Sequence, residues 1–279
     1  MHCNSLDAPD LLLFKPILFP RTKIIHTIHG IEQYKDVPRW KIILRNSLCD
    51  KFIAISNCVK DDLIGSGVKK DKLITVYNAI NLTKFQNHNK KMFDKDYVIV
   101  GNVARFIPEK KGQDILIEAI KILQKDYPNI VCRFAGTYDN EHETVYKKYI
   151  NEIKKDGLSK NINFLGNIGD IPAFLKGIDI FVLPSRYEGF GISLIEAMSM
   201  GIPCVASNLY GPAEIIGNNE RGELFQAENV NELVEKIRHI IENYVAYQEK
   251  QVEIKKYVCE NFDICKMSEK LLKIYRGEE

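Results

Sequence analysis

The chain lacks the features that organise secreted, zinc-clipped or membrane-spanning proteins. Its seven cysteines, at positions 3, 49, 58, 132, 204, 259 and 265, form no Cys-x-x-Cys pair and leave an odd count. That argues against a disulfide or zinc framework. Cys132 in Val-Cys-Arg-Phe and Cys204 in Pro-Cys-Val-Ala lie in apolar runs, and read as reduced, buried cysteines of a cytoplasmic protein. No signal peptide is expected ahead of the first strand, and no apolar run approaches membrane-spanning length. Leu11-Leu12-Leu13-Phe14 is short and is stopped by Lys15-Pro16. Internal repeats and low-complexity tracts are missing as well. So is a strong charge of one sign: 39 Lys and Arg face 37 Asp and Glu, a net charge of +2, and nucleic acid is not an expected partner.

The charge is nevertheless uneven. Residues 1–96 hold 16 Lys and Arg against 10 Asp and Glu, and the remainder holds 23 against 27. A basic first part suits an anionic acceptor or the inner face of a membrane. A solvated surface with chance asymmetry is the plainer reading.

Short β-rich runs alternate with amphipathic segments from end to end. Strands are expected at 23–27, 51–55, 73–77, 97–103, 130–135, 162–165, 178–183, 203–206 and 223–225. Helices are expected at 38–49, 58–64, 113–125, 143–155, 171–176, 193–200, 212–216 and 231–241. This alternation predicts an α/β fold of parallel sheets with crossover helices. The polar, charged stretch from Gln86 to Asp96 marks a boundary between two such regions. Asp94-Lys95-Asp96 within it precedes a strand and reads as a solvated turn, not a metal motif.

The most informative stretch runs from Pro184 to Met198, Pro-Ser-Arg-Tyr-Glu-Gly-Phe-Gly-Ile-Ser-Leu-Ile-Glu-Ala-Met. It follows a buried-strand pattern and predicts a glycine-bearing loop that opens a helix at Ser193, with Ser193 and Glu196 in a capping box. A strand, such a loop and a helix N-terminus together make an anion site. Glu188 and Glu196 flank it and are free to accept hydrogen bonds from hydroxyls. Diphosphate on the helix and sugar hydroxyls on the acids fit a nucleotide sugar. Ligands of doubly wound sheets gather at strand carboxyl ends, which here carry His29-Gly30, Ser56, Asn78, Arg105 with Lys110-Lys111-Gly112, Gly136 and Gly166.

Val-Ala-Arg-Phe-Ile-Pro-Glu-Lys-Lys-Gly at 103–112, Asn-Phe-Leu-Gly at 163–166, the Glu-x7-Glu stretch, and Met-Gly-Ile-Pro-Cys-Val-Ala-Ser at 200–207 together resemble the retaining GT-B glycosyltransferases of group 1. Val-Tyr-Asn-Ala-Ile-Asn-Leu-Thr-Lys-Phe at 76–85 resembles a further family stretch. The resemblance covers roughly residues 23–279 and implies two Rossmann-like domains: a partial acceptor-side domain at 1–90 and a nucleotide-sugar-binding domain at 91–260. A C-terminal helix at 261–279 would pack back on the first. It implies that Arg105 and Lys111 or Lys110 neutralise the donor diphosphate, and that Glu188 holds the transferred sugar. Backbone around Gly189, Phe190, Gly191 and Ser193, with Gly136 and Gly166, would line the donor site. Glu196 would accept from the ribose, and His29 would stand near the reacting carbon. No cofactor and no catalytic metal are expected, because Arg and Lys supply the positive charge.

Each residue also has a plainer reading. Glu196 alone would be a helix-cap partner, Glu188 a solvated loop acid, and His29 a hydrogen-bonded turn histidine, with His26 structural. Arg105 alone could pair with Glu109 or Asp114. Three departures from the family pattern stand out. One extra residue separates Arg105 from the Lys-Gly pair, so Lys110 and Lys111 compete, with adjacency to Gly112 favouring Lys111. Ala79 and Asn81 stand where Gly and Asp are usual. The chain also begins late, without the glycine-rich loop near the N-terminus that members carry, so the first domain is expected to be incomplete. The expected reaction moves a sugar from a nucleoside diphosphate sugar to a hydroxyl of a glycan or lipid-linked acceptor. The alternatives are a donor-binding chain that needs a partner to complete its first domain, and an epimerase on the same fold, against which Glu-x7-Glu argues.

Overall fold

The computed structural model describes residues 1–4, 21–85 and 93–278. The apolar run at 11–14 and positions 86–92 of the expected boundary lie outside the described residues. The expected α/β architecture is present as two parallel sheets. The first is four-stranded, in the order β1 (His2–Cys3), β2 (Ile25–Ile28), β3 (Lys51–Ala54) and β4 (Leu73–Thr75). Helix α1 (Arg39–Leu48) connects β2 to β3, and α2 (Asn57–Gly65) connects β3 to β4. All four residues of β2 are buried, as expected of a strand covered on both faces. Ser56 starts α2 by accepting a hydrogen bond from the Val59 amide.

The second sheet is six-stranded. Its strands are β5 (Ile99–Val103), β6 (Val131–Ala135), β7 (Ile162–Phe164), β8 (Ile180–Leu183), β9 (Cys204–Ser207) and β10 (Glu223–Phe225). Their order across the sheet is β10-β9-β8-β5-β6-β7. The chain therefore winds one way from β5 to β7 and the other way from β8 to β10. Strand β5 pairs with β8 at this reversal, the point where an open parallel sheet offers a crevice at its carboxyl ends.

The helices from β5 onward are α3 (Pro108–Lys111), α4 (Gln113–Leu123), α5 (Glu143–Lys155), α6 (Ile171–Lys176), α7 (Ile192–Ser199), α8 (Tyr210–Ile216), α9 (Val230–Glu242), α10 (Tyr244–Glu249), α11 (Gln251–Asn261) and α12 (Ile264–Arg276). Sequence periodicity shows why they pack as they do. In α9 the buried residues are Leu233, Val234, Ile237, Ile240 and Ile241, one stripe at helical spacing. They share a core with Leu116, Ile120 and Leu123 of α4.

Aromatic packing and the last helix are among the contacts that join the halves. Phe190, Tyr77 and Phe262 pack together, with the Phe190 ring 5.9 Å from Tyr77 and 5.4 Å from Phe262. Helix α12 lies on the first sheet, where Ile274 clusters with Ile25, Ile53 and Val76, and Lys270 Nζ donates to the Thr75 carbonyl at 2.9 Å. Among the described residues no helix is long and apolar enough to cross a membrane.

Candidate active site

The reversal of strand order brings the loop after β5 against the loop after β8. Helix α3 ends at Gly112, whose backbone is left-handed with φ of 67°. A Cβ at Gly112 would fall 2.0 Å from the Pro184 carbonyl oxygen, so only glycine permits this approach. The Arg186 and Tyr187 amides then donate to the Lys110 carbonyl at 2.8 and 3.1 Å. The Arg186 guanidinium donates to the Pro108 carbonyl at 2.6 Å and to both Asp114 oxygens at 2.8 and 2.9 Å. It also pairs with Glu228, and these carboxylates hold its pKa well above the usual arginine value.

This frame sets the two lysines apart. Lys111 Nζ donates to Glu188 Oε2 at 2.7 Å. Lys110 contributes its backbone carbonyl to the frame, and among the described residues its side chain has no ion pair. Arg105 is likewise without one among the described residues. The acids considered for it are engaged elsewhere, Asp114 by Arg186 and Glu109 by His142 at 2.6 Å.

His29, Arg105, Lys110, Lys111, Glu188 and Gly189 line one cavity of about 650 Å³. Five come from the second unit, and His29 follows β2 of the first. His29 is exposed, yet its partial burial in the cleft lowers its pKa below the ordinary histidine value. His26 is buried, and its Nδ1 lies 3.1 Å from the Tyr34 hydroxyl.

The remaining predicted residues are not part of that lining. Glu196 lies on α7, where burial pushes its carboxyl up to about 7, offset in part by Lys84. Gly136 and Gly166 meet beyond β6 and β7, with the Gly136 amide donating to the Gly166 carbonyl at 2.8 Å. The Phe190 ring is buried at 2% exposure, so any part of this residue in donor binding falls to its backbone.

The expected capping box of Ser193 and Glu196 does not form. Gly191 occupies the N-cap position with φ of 113°, the helix begins at Ile192, and no side chain caps it. The left-handed glycine starts the helix two residues before Ser193, which places Glu196 in the helix body and removes its capping role.

Sequence reasoning missed a second set of residues. Glu214 of α8 accepts from the Asn57 side chain at 2.6 Å and from the Tyr77 hydroxyl at 2.5 Å. Asn57 and Glu214 stand 157 positions apart, so no local pattern pairs them. Among the described residues no group of three or more His, Cys, Asp or Glu side chains could hold a metal ion.

Comparison with known proteins adds a common theme. The family model "Glycosyl transferases group 1" matches residues 83–260, and "Glycosyltransferase Family 4" matches residues 1–84. An uncharacterized glycosyltransferase of Methanocaldococcus jannaschii is 30% identical over 254 residues, covering 86% of this chain and 60% of that protein. The capsular polysaccharide biosynthesis glycosyltransferase CapM of Staphylococcus aureus is 28% identical over 234 residues, covering 78% of this chain and 60% of CapM. The chain thus spans 60% of the length of each of these two relatives. HepE of Anabaena, solved in complex with UDP, has the same fold, with a TM-score of 0.87 at 21% identity, covering 99% of this chain and 78% of HepE.

Proposed function

This chain belongs to the group 1 glycosyl transferases, and on that premise we propose that it moves a sugar from a nucleoside diphosphate sugar to a hydroxyl of a glycan or lipid-linked acceptor, with retention of configuration. The observation that carries the reading is the cavity at the strand-order reversal, which Arg105, Lys111 and Glu188 line together and where Lys111 touches Glu188. When the bond from the sugar to the diphosphate breaks, negative charge develops on the leaving phosphate. Arg105 and Lys111 stabilise that charge directly, the role a divalent ion plays elsewhere, which supports a metal-independent reaction. Glu188 accepts from hydroxyls of the transferred sugar, and its contact with Lys111 holds the two groups in one geometry. Glu196 accepts from the ribose. His29, whose neutral form partial burial favours, stands on the opposite wall beside the reacting carbon. None of these carboxylates is assigned as a covalent nucleophile.

The donor base follows from likeness alone. HepE was solved with UDP, which supports a uridine nucleotide as the first to test. CapM acts in capsular polysaccharide biosynthesis, which supports a surface-glycan acceptor.

The acceptor side also supports contact with an anionic membrane surface on the cytoplasmic side. Trp40 and Ile43 of α1 are 62% and 60% exposed. Ile43 shares a groove with Lys35, Arg39 and Lys69. Apolar side chains ringed by cations suit a lipid interface.

The test is turnover of a nucleotide-sugar panel with mixed glycan and lipid-linked acceptors, alongside nucleotide binding. Transfer with the donor's anomeric configuration kept supports the proposal. Binding without transfer supports the alternative of a donor-binding chain that needs a partner, and inversion overturns the retaining mechanism.

A further inference from the structure

The two halves of the molecule meet at the N-terminus of α2, where two independent ties converge. One reaches the loop that carries Glu188: Ser56 Oγ donates to the Gly189 carbonyl at 2.7 Å and is buried. Cys58 Sγ lies 3.6 Å from the same carbonyl and 3.0 Å from Ser56 Oγ. The other comes from α8. Glu214 Oε2 accepts from the Asn57 amide at 3.0 Å and the Cys58 amide at 3.3 Å. Glu214 Oε1 accepts from Asn57 Nδ2 and the Tyr77 hydroxyl. One carboxylate of the second unit thus satisfies unpaired amides at the start of a first-unit helix and faces the positive end of its dipole. Tyr77 then stacks on Phe190, one residue beyond Gly189.

We infer that Glu214 is a positioning residue: it clasps the first unit at α2 and thereby holds the Glu188–Gly189 loop against His29 and Gly30. The chain of contact is continuous. Glu214 fixes Asn57 and Tyr77, Ser56 and Cys58 on either side of Asn57 grip the Gly189 carbonyl, and Gly189 lies against the His29 and Gly30 backbone. Glu214 itself is not among the residues lining the cavity. Its effect on chemistry is geometric, through the separation of His29 from Glu188, and small displacements of reacting groups lower rates steeply. The inference deepens the functional reading above where it concerns transfer, but the clasp exists without any donor.

The test is hydrogen–deuterium exchange on the unliganded full chain and its Glu214→Ala, Glu214→Gln and Tyr77→Phe variants. Charge-assisted hydrogen bonds at a helix start protect those amides. Glu214→Ala is expected to speed exchange about tenfold both in peptides spanning 56–65 and in peptides spanning 186–191. Peptides of the β5 core, residues 99–103, should not change. Glu214→Gln, which keeps an acceptor for Tyr77, and Tyr77→Phe should each give part of the effect. Faster exchange at 56–65 alone would reduce Glu214 to a local helix cap, and uniformly faster exchange everywhere would mean general destabilisation; either result overturns the clasp. Should Glu214→Ala fail to fold, Glu214→Gln and Tyr77→Phe decide between these outcomes. Because no nucleotide sugar is present, the expected pattern in a chain without transferase activity would uphold the clasp and refute only the functional reading. Where transfer is measurable, a fall in kcat with KM unchanged in Glu214→Gln marks positioning, while a lowered melting temperature alone does not.

Discussion

Lys111 Nζ lies 2.7 Å from Glu188 Oε2, across the point where the second sheet reverses its strand order, and each side chain is 21% exposed. A pair so placed contributes little to stability, on the order of 1 kcal/mol or less. Its value lies in holding a cation and an acceptor at one spot in the cleft. Lys111→Ala should therefore shift stability by no more than about 1 kcal/mol and lower transfer by roughly 10²–10³-fold. Denaturant titration and initial-rate kinetics measure the two effects separately. A loss of stability that accounts for the lost activity would make the pair structural.

Glu196 carries a pH signature. Its folded pKa of about 7 lies above the ordinary 4.5 because burial disfavours the charge, so the folded state holds this proton more tightly than the unfolded state. The resulting stabilisation is complete below about pH 4.5 and is lost as pH rises through about 7. Discounted for partial solvent access, the unliganded protein should lose on the order of 1–2 kcal/mol across that window. Glu196→Gln should flatten the profile. Nucleotide affinity should move the other way and rise with pH through about 7, because the ionised carboxylate is the better acceptor for ribose hydroxyls. Denaturation and calorimetric titration at several pH values check both signs.

Gly189 tests how close the two walls of the cleft must come. A Cβ there would sit 3.0 Å from both Gly30 Cα and the His29 carbonyl oxygen, and neither backbone atom can rotate away. Gly189→Ala should leave a folded protein destabilised by about 1–3 kcal/mol. It should lower turnover by roughly tenfold to a hundredfold through displacement of the Glu188 loop. Kinetics and thermal unfolding on the same preparation check it.

The membrane contact has a convenient reporter, since Trp40 is the chain's single tryptophan. Vesicles containing phosphatidylglycerol should shift its emission to shorter wavelength, while phosphatidylcholine vesicles should not. Salt and the double variant Lys35→Glu, Arg39→Glu should abolish the shift. Emission indifferent to anionic lipid would remove this surface from the account.

Much of the fold was legible because parallel strands buried on both faces leave unbroken apolar runs such as Ile180–Leu183. Strand β1 is two residues long and carries no periodicity of its own, so its place rests on its pairing with β2. Helix α3 escaped because one turn within Pro-Glu-Lys-Lys-Gly has no apolar face. The capping box failed for a different reason. Ser-x-x-Glu signals a helix start, but the backbone of Gly191 decides where the helix begins, and that depends on how the loop packs. The Glu214 clasp and the Arg186 frame were out of reach in principle. Asn57 and Tyr77 meet Glu214 only where the two units touch, and Asp114 and Glu228 meet Arg186 only through the strand order of the second sheet.

The most direct measurement is calorimetric titration of the unliganded chain with UDP, GDP and ADP, repeated on Arg105→Ala and Lys111→Ala. At least one nucleoside diphosphate should bind, and each substitution should weaken it by about tenfold or more, as the loss of a charge-assisted phosphate contact requires. Failure of every nucleotide to bind, or binding indifferent to both substitutions, would contradict the assignment of this cleft as a donor site.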